Sequence, residues 1–307
     1  MAGVFVFSED GAVARQLLTP ALELKSALGQ PLVALATSDS QAFDLASHGA
    51  DRVLLIKAAA TPEQLAPAIA KLLAAEQASV VLVGGTLRGK HVASHIAAAL
   101  DAPMTTDAKT LKIADGKMET SRVLYAGLAI AEEVLTLPAV ATVPARTFLP
   151  PSPAPAAGKI EAVELVPDAR VAISDVTPIS SEGVDITTAT RLVSVGRGIR
   201  KKEDLKLAED LAAVLKGELA CTRGIAEDEH WLPLERYIGI SGQTVKPEIY
   251  LAVGLSGQVQ HMVGCRESKF IVAVNNDERA PIFEAADYGI VGDLYEVLPL
   301  LTDAMKN

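Results

Sequence analysis

The residues with the clearest capacity for chemistry follow one short apolar run. Ile249-Tyr-Leu-Ala-Val253 stops at Gly254, and Ser256, Gly257, Gln258, Gln260 and His261 come directly after it. A strand that ends in a tight Gly/Ser turn and opens a helix exposes backbone N–H groups beside the positive end of the helix dipole. That environment suits a phosphate or a reduced cofactor ring. Similar endings follow other apolar runs in the C-terminal part of the chain: Gly196-Arg197-Gly198, Thr222-Arg223-Gly224, Ser241-Gly242-Gln243-Thr244, Asn275-Asn276-Asp277 and Gly292-Asp293. One such ending is what any strand-to-helix turn favours. Their repetition at one edge of a parallel sheet predicts a shared ligand with phosphates, hydroxyls and heteroatoms to satisfy.

Taken singly, each fragment has an ordinary reading. Gly196-Arg197-Gly198 is followed by Lys201 where the dinucleotide fingerprint wants glycine, so alone it is a turn. Arg223 alone is a surface cation, His261 a packed or capping side chain, and Asp293 an N-cap. Other candidates point away from chemistry. His91 and His95 have the spacing of a zinc pair, but Val92 stands where the metalloprotease motif wants glutamate and no third ligand follows. Gly84-Gly85-Thr86 with Arg88 lacks the Gly-Lys-Ser/Thr ending of a phosphate loop, and Ser256 is not in a Gly-x-Ser-x-Gly elbow. No metal site and no catalytic residue are therefore expected. Cys221 and Cys265 form no Cys-x-x-Cys and read as free buried thiols in a reducing compartment.

The elements that must position these residues are legible as two βα series. In the first half, Gly3 to Phe7, Leu32 to Ala36, Arg52 to Ile56 and Val80 to Val83 are unbroken apolar strands, separated by helices at 12–28, 40–47, after Thr61-Pro62-Glu63, and 90–100. Such alternation predicts a parallel sheet covered on both faces. A hairpin follows, Leu111 to Ala114 against Ser121 to Tyr125, turning at Asp115-Gly116. Extended segments then run to Val176, including strands at 160–166 and 170–173, interrupted by the Pro150–Pro155 stretch. The polar, Gly-containing stretch 180–190 separates the two series, so the domains are read as 1–187 and 188–307. The second series places strands at 192–195, 219–222, 237–240, 249–253, 270–274 and 289–291, with helices at 202–215, 258–263 and from Asp293. The expected fold class is α/β: two Rossmann-like domains with largely parallel sheets.

The 307 residues, half of them hydrophobic, suffice for two such cores. A net charge of −10 without a basic face argues against a nucleic-acid partner. No apolar run reaches the roughly 18 residues of a membrane span. The chain enters a strand at Val4 with no basic or Arg/Ser-rich leader before it, so a soluble cytoplasmic protein is expected, or else a processed one of the mitochondrial matrix.

Tyr250-Leu-Ala-Val-Gly-Leu-Ser-Gly-Gln-Val-Gln-His261, Gly264 and Ile271-Val-Ala-Val-Asn275 resemble the signature of the electron transfer flavoprotein α subunit. The similarity continues through Ala280-Pro-Ile-Phe283, Ala286-Asp-Tyr-Gly-Ile-Val291 and Asp293, and back through Ser241–Thr244, Arg223 and Gly196-Arg-Gly198. The first domain shares the βα order and Tyr125-Ala126-Gly127. The resemblance implies a heterodimer with a β subunit and one FAD held mainly on the C-terminal domain of this chain. Arg197, Thr222, Ser256 and Gly257 would lie along the pyrophosphate and ribityl chain, and Asn275 and Asp293 toward the adenosine. Arg223, Gln243, Thr244, Gln260 and His261 would face the isoalloxazine, with Ser241, Gly242, Gln258, Val259 and Leu294 completing the site. Three positions depart from the pattern: Ser241 replaces a small aliphatic residue, Val245 a glycine and Leu128 an asparagine. The implied function is an electron carrier reduced by flavoprotein dehydrogenases, such as those of acyl-CoA in fatty acid β-oxidation, and reoxidised by a membrane quinone oxidoreductase. Arg223 and His261 are the residues suited to stabilise negative charge on a reduced flavin ring. Two other readings stay open: a non-redox regulatory module binding an adenine nucleotide, and an oxidoreductase with its own small-molecule substrate. The latter is disfavoured because no acid/base pair accompanies the crevice.

Overall fold

The computed structural model describes residues 2–154, 156–176 and 185–306. The chain forms two compact units, Met1–Val176 and Thr177–Asn307. In the first, β1 (Gly3–Phe7), β2 (Leu32–Ala36), β3 (Arg52–Ile56) and β4 (Ala78–Gly84) alternate with α1 (Gly11–Leu28), α2 (Asp39–Ser47), α3 (Pro62–Ala75) and α4 (Leu87–Leu100). Each helix begins where the sequence offers a cap: Asp10 and Ser38 accept the N–H groups of Val13 and Gln41, while the Thr61 N–H donates to Gln64 Oε1 at 3.1 Å. Then come β5 (Met104–Thr105), the antiparallel strands β6 (Ala108–Ala114), β7 (Lys117–Leu124) and β8 (Ala129–Leu135), and finally β9 (Ala139–Val143) and β10 (Lys159–Val163). The main sheet is parallel in the order β10-β3-β2-β1-β4-β9-β5, its strands fully buried in the centre because helices cover both faces. Asp115 and Gly116, both at positive φ, turn β6 into β7 as the dipeptide predicts.

Three readings of this half need correction. The second hairpin strand starts at Lys117, because the two-residue turn pairs Ala114 with Lys117, and Tyr125 leaves it for a short 3-10 turn. Residues 170–173 are not a strand, since the Arg170 backbone and guanidinium both fold back on the Asp168 carboxylate. The strand read at 160–166 ends at Val163. Of the proline stretch, Pro155 lies outside the described residues, as do residues 180–184 of the polar stretch between the units.

The second unit contains β11 (Arg191–Val195), α5 (Leu205–Val214), β12 (Glu218–Cys221), β13 (Ile249–Val253), α6 (Val259–Met262), β14 (Phe270–Asn275), α7 (Ile282–Ala285), β15 (Tyr288–Val291) and α8 (Leu294–Met305). Its sheet is parallel throughout, in the order β12-β11-β13-β14-β15. Alternation along the strands divides the core. Val193, Val195, Leu251 and Val253 face α5 and α8, while Leu192, Tyr250, Ala252 and Ile271 face Ile238, Met262, Cys265 and Ile282. Ile186 is already buried in this second layer.

Residues 237–240 do not form the strand that their apolar character predicts. Gly239 takes a φ of 150° and its N–H donates to the Gln243 carbonyl, while the Gln243 N–H donates to Tyr237 O at 2.7 Å. The segment closes on itself as a loop and joins its neighbours through an isolated bridge to Cys221 and hydrogen bonds to Gln260 and His261 instead of a strand ladder. The predicted helix at 202–215 opens with a 3-10 turn and becomes α-helical at Leu205.

A cofactor crevice at the switch point of the second sheet

In the second unit, chain order along the sheet reverses between β11 and β13. In an open parallel sheet the crevice beyond the strand ends at such a reversal is where ligands bind. The backbone there continues the ladder past the strands: Gly196 N–H donates to Val253 O at 3.0 Å, Gly198 N–H to Gly254 O at 2.8 Å, and Gly254 N–H to Val274 O at 2.9 Å. These close approaches need glycine. A Cβ on Gly198 would stand 2.7 Å from the Gly254 Cα, and one on Gly254, at φ +57°, would meet both Gly198 and Leu294. Gly257, at φ +76°, leaves no room for a side chain, since a Cβ would lie 2.4 Å from the Ile282 Cα. The floor is consequently bare backbone.

The crevice has a volume of about 720 Å³, within the range of small-molecule and cofactor sites. Arg197, Arg200 and Arg223 line it, as do Asp228, Asp277 and Asp293. Arg223 is exposed and its Nε donates to Glu227 at 2.5 Å, across a single π-helical turn, Gly224–Asp228. Arg200 lies over the Tyr295 ring, 5.1 Å from its centroid, and 3.7 Å from the Asp293 carboxylate. Asp293 also caps α8, accepting the Tyr295 N–H at 2.9 Å. Asn275 is largely occupied by the protein, donating to Leu255 O at 2.9 Å and accepting the Asp277 N–H at 2.9 Å, which fixes the loop beyond β14.

Most of the residues singled out by sequence come together on this wall: Arg197, Thr222, Arg223, Ser241, Ser256, Gly257, Gln258, Gln260, His261, Asn275, Asp293 and Leu294. Gly242, Gln243, Thr244 and Val259 do not line it. The loop 237–243 spends the Gln243 backbone on Tyr237 and Gly239, and the crevice side is taken instead by Ile240 and by Ser241, whose hydroxyl is 2.6 Å from the Tyr237 phenol oxygen. Arg200 and Ile240 were not foreseen. A second cation shortly after the Gly-Arg-Gly turn was the available signal for the first; Ile240 gave none, because it reads as strand interior.

Two expectations about the Gly257–His261 segment change in physical content. The helix it opens, α6, is a single turn, so its dipole is small and the turn contributes through individual N–H groups. His261 is 8% exposed, its Nδ1 is 3.0 Å from Ile238 O and its Nε2 is 2.5 Å from the Tyr250 phenol oxygen. Burial, the largest cause, pushes its pKa down to about 4, so it is neutral near pH 7 and both ring nitrogens are engaged by protein. Positive charge comes from the arginines.

Outside the crevice, Gly84-Gly85-Thr86 is structural: Gly85 N–H donates to Val143 O and Thr86 caps α4. His91 and His95 meet edge to face, and no group of metal-ligating side chains occurs among the described residues. Among those residues no helix is long and apolar enough to cross a membrane. Both cysteines are buried free thiols.

A parallel sheet with glycine-floored strand ends, hydroxyls and three arginines around one crevice defines a binder of a phosphate-bearing nucleotide cofactor. The sequence model of the electron transfer flavoprotein FAD-binding domain matches residues 185–266, and that of the electron transfer flavoprotein domain matches 4–169. Protein FixB of Escherichia coli O7:K1 (strain IAI39 / ExPEC) is 46% identical over 229 residues, 74% of this chain and 73% of that protein. Protein FixB of Escherichia coli (strain 55989 / EAEC) is 45% identical over the same length. The chain belongs to the electron transfer flavoprotein family, as an α-type, FAD-binding subunit. Members are electron carriers and not substrate-converting enzymes. The residues fit the cofactor: turns whose glycines pack backbone against backbone, the Thr222 and Ser256 hydroxyls on the wall, and arginines for a dianionic pyrophosphate. Bound FAD supplies the electron-accepting and electron-donating chemistry. The chain's contribution is to bind it, shield part of it from water, and set the charge around it.

Proposed function

We propose that this chain pairs with an electron transfer flavoprotein β subunit and carries electrons between a flavoprotein dehydrogenase, such as one acting on acyl-CoA in β-oxidation, and a membrane quinone oxidoreductase. FAD occupies the second-unit crevice, within the part of the chain from residue 188 onward. Arg197, Thr222, Ser256 and Gly257 serve the pyrophosphate side, and Asn275 and Asp293 shape the adenosine end. Arg223, Ser241 and Gln260 serve the ring, with Gln258 and Leu294 completing the wall. The observation that carries this reading is the convergence of Arg197, Arg200 and Arg223 on a glycine-floored crevice at the sheet's switch point. The proposed compartment is the cytoplasm; the relatives are bacterial, which gives no support to the mitochondrial alternative.

Co-purification with the β subunit tests the proposal. A yellow complex that is bleached by acyl-CoA only when an acyl-CoA dehydrogenase is present is the expected result. A colourless complex that retains an adenine nucleotide would replace it with the non-redox reading, and bleaching by acyl-CoA alone would make the protein an oxidoreductase in its own right.

A further inference from the structure

His261 sits on the crevice wall with no ring nitrogen to spare. The Ile238 carbonyl can only accept, so Nδ1 carries the proton. In a neutral imidazole Nε2 is then a lone pair, and the 2.5 Å contact to Tyr250 must be a hydrogen bond donated by the phenol. Tyr250 is the second residue of β13, is 0% exposed, and has its ring centroid 6.1 Å from that of His261. A phenol buried in a sheet interior is costly unless its O–H is paired. Here the pairing partner is a residue that faces the cofactor crevice.

We propose that Tyr250 is a positioning residue for the flavin site, whose phenol fixes His261 as the neutral Nδ1–H tautomer and so leaves positive charge on this wall, among the described residues, to Arg197, Arg200 and Arg223. The groups packed around His261 are consistent with this. From β13 comes the Tyr250 phenol, from the loop 237–243 the Ile238 carbonyl and from the turn after α6 the Cys265 thiol, 3.8 Å from the His261 carbonyl, while Cys221 of β12 and the Ser194 hydroxyl of β11 lie beside the Tyr250 phenol. Burial pushes both thiols up to about 12 and holds the phenol well above its ordinary range, so all are uncharged near neutrality. The charged groups on the same wall are Arg197, Arg200, Arg223, Asp228, Asp277 and Asp293, and none of them bonds to the imidazole among the described residues. A ring held in this way takes up no proton when the cofactor gains an electron near pH 7, and it donates no N–H to it.

The inference rests on the FAD reading of the crevice, but its test does not. Long-range 15N NMR of the full chain, flavin-free and FAD-loaded, reads the His261 tautomer and its titration directly. The expected wild-type result is a protonated Nδ1, an unprotonated Nε2 and no titration between about pH 5 and 8. Tyr250→Phe removes the donor that stabilises the neutral ring, so the His261 titration should move up by about one pH unit, the tenfold change that a hydrogen bond of about 1.4 kcal/mol carries. A proton on Nε2, a charged ring at pH 7, or an unshifted titration in Tyr250→Phe would overturn the proposal. If Tyr250→Phe fails to fold, the wild-type tautomer alone decides. A colourless protein with the expected tautomer would remove the flavin reading and keep the hydrogen-bond chain; a yellow protein with the other tautomer would do the reverse.

Discussion

Arg223 and His261 illustrate how residue type and environment divide the work. Arg223 is exposed, paired with Glu227 and permanently charged, so it can lower the energy of negative charge on a reduced ring. Arg223→Ala should lower the first one-electron potential of bound FAD by tens of millivolts, a tenfold change in that equilibrium being about 59 mV; potentiometry giving an unchanged value with FAD still bound would contradict it. His261 contributes shape instead of charge. Its pKa of about 4 lies below the ordinary 6.5. Between those values the unfolded chain binds more protons than the native one, so stability should fall as pH falls through that window, by up to about 1.4 kcal/mol per pH unit. Urea unfolding at several pH values should show this component in the wild type and lose it in His261→Gln; identical slopes would contradict the assignment. The glycines, the hydroxyls and two of the arginines, Arg197 and Arg223, were readable because they punctuate strand ends. The state of His261 was not, since Tyr250 reads as one more apolar strand residue and only the register of β13 brings its phenol to the imidazole.

At the scale of elements, the parallel strands, the Asp293 cap and the Asp115-Gly116 hairpin followed from local sequence, because continuous apolar runs and turn or capping residues act within a few positions. The loop 237–243 did not, because Tyr-Ile-Gly-Ile has strand composition and only contacts with Cys221, Gln260 and Gly264 decide its path. That path brings Ser241 into the crevice and leaves Thr244 outside. Ser241→Ala should therefore weaken FAD binding severalfold, as loss of one hydrogen bond would, whereas Thr244→Ala should leave it unchanged. Equal effects in a flavin titration would refute the placement. The turn after β13 is the most constrained element. Gly257→Ala imposes a Cβ at φ +76° against the Ile282 backbone, and should cost on the order of 2 kcal/mol or more in denaturant unfolding, with loss of FAD. A change within about 0.5 kcal/mol would mean the turn is looser than described.

For the molecule as a whole, two α/β units were expected and two are found, each built on a parallel sheet. The sequence could not supply strand order, which is a matter of long-range pairing, and strand order is what identifies the crevice. Once β11 and β13 are neighbours, the Gly196–Gly198 and Gly254–Gly257 turns must face one another across the switch point. The central claim, that this crevice holds the FAD, is tested most directly by the flavin content of the complex with and without a negative charge at Ser256. Its side chain is exposed on the wall, so Ser256→Glu should be tolerated by the fold while its carboxylate repels the pyrophosphate. Absorbance of the purified complexes should show one FAD per wild-type chain and little or none in Ser256→Glu, with matching thermal unfolding of the flavin-free proteins. A colourless wild type, or a Ser256→Glu complex with a full complement of FAD, would contradict the account.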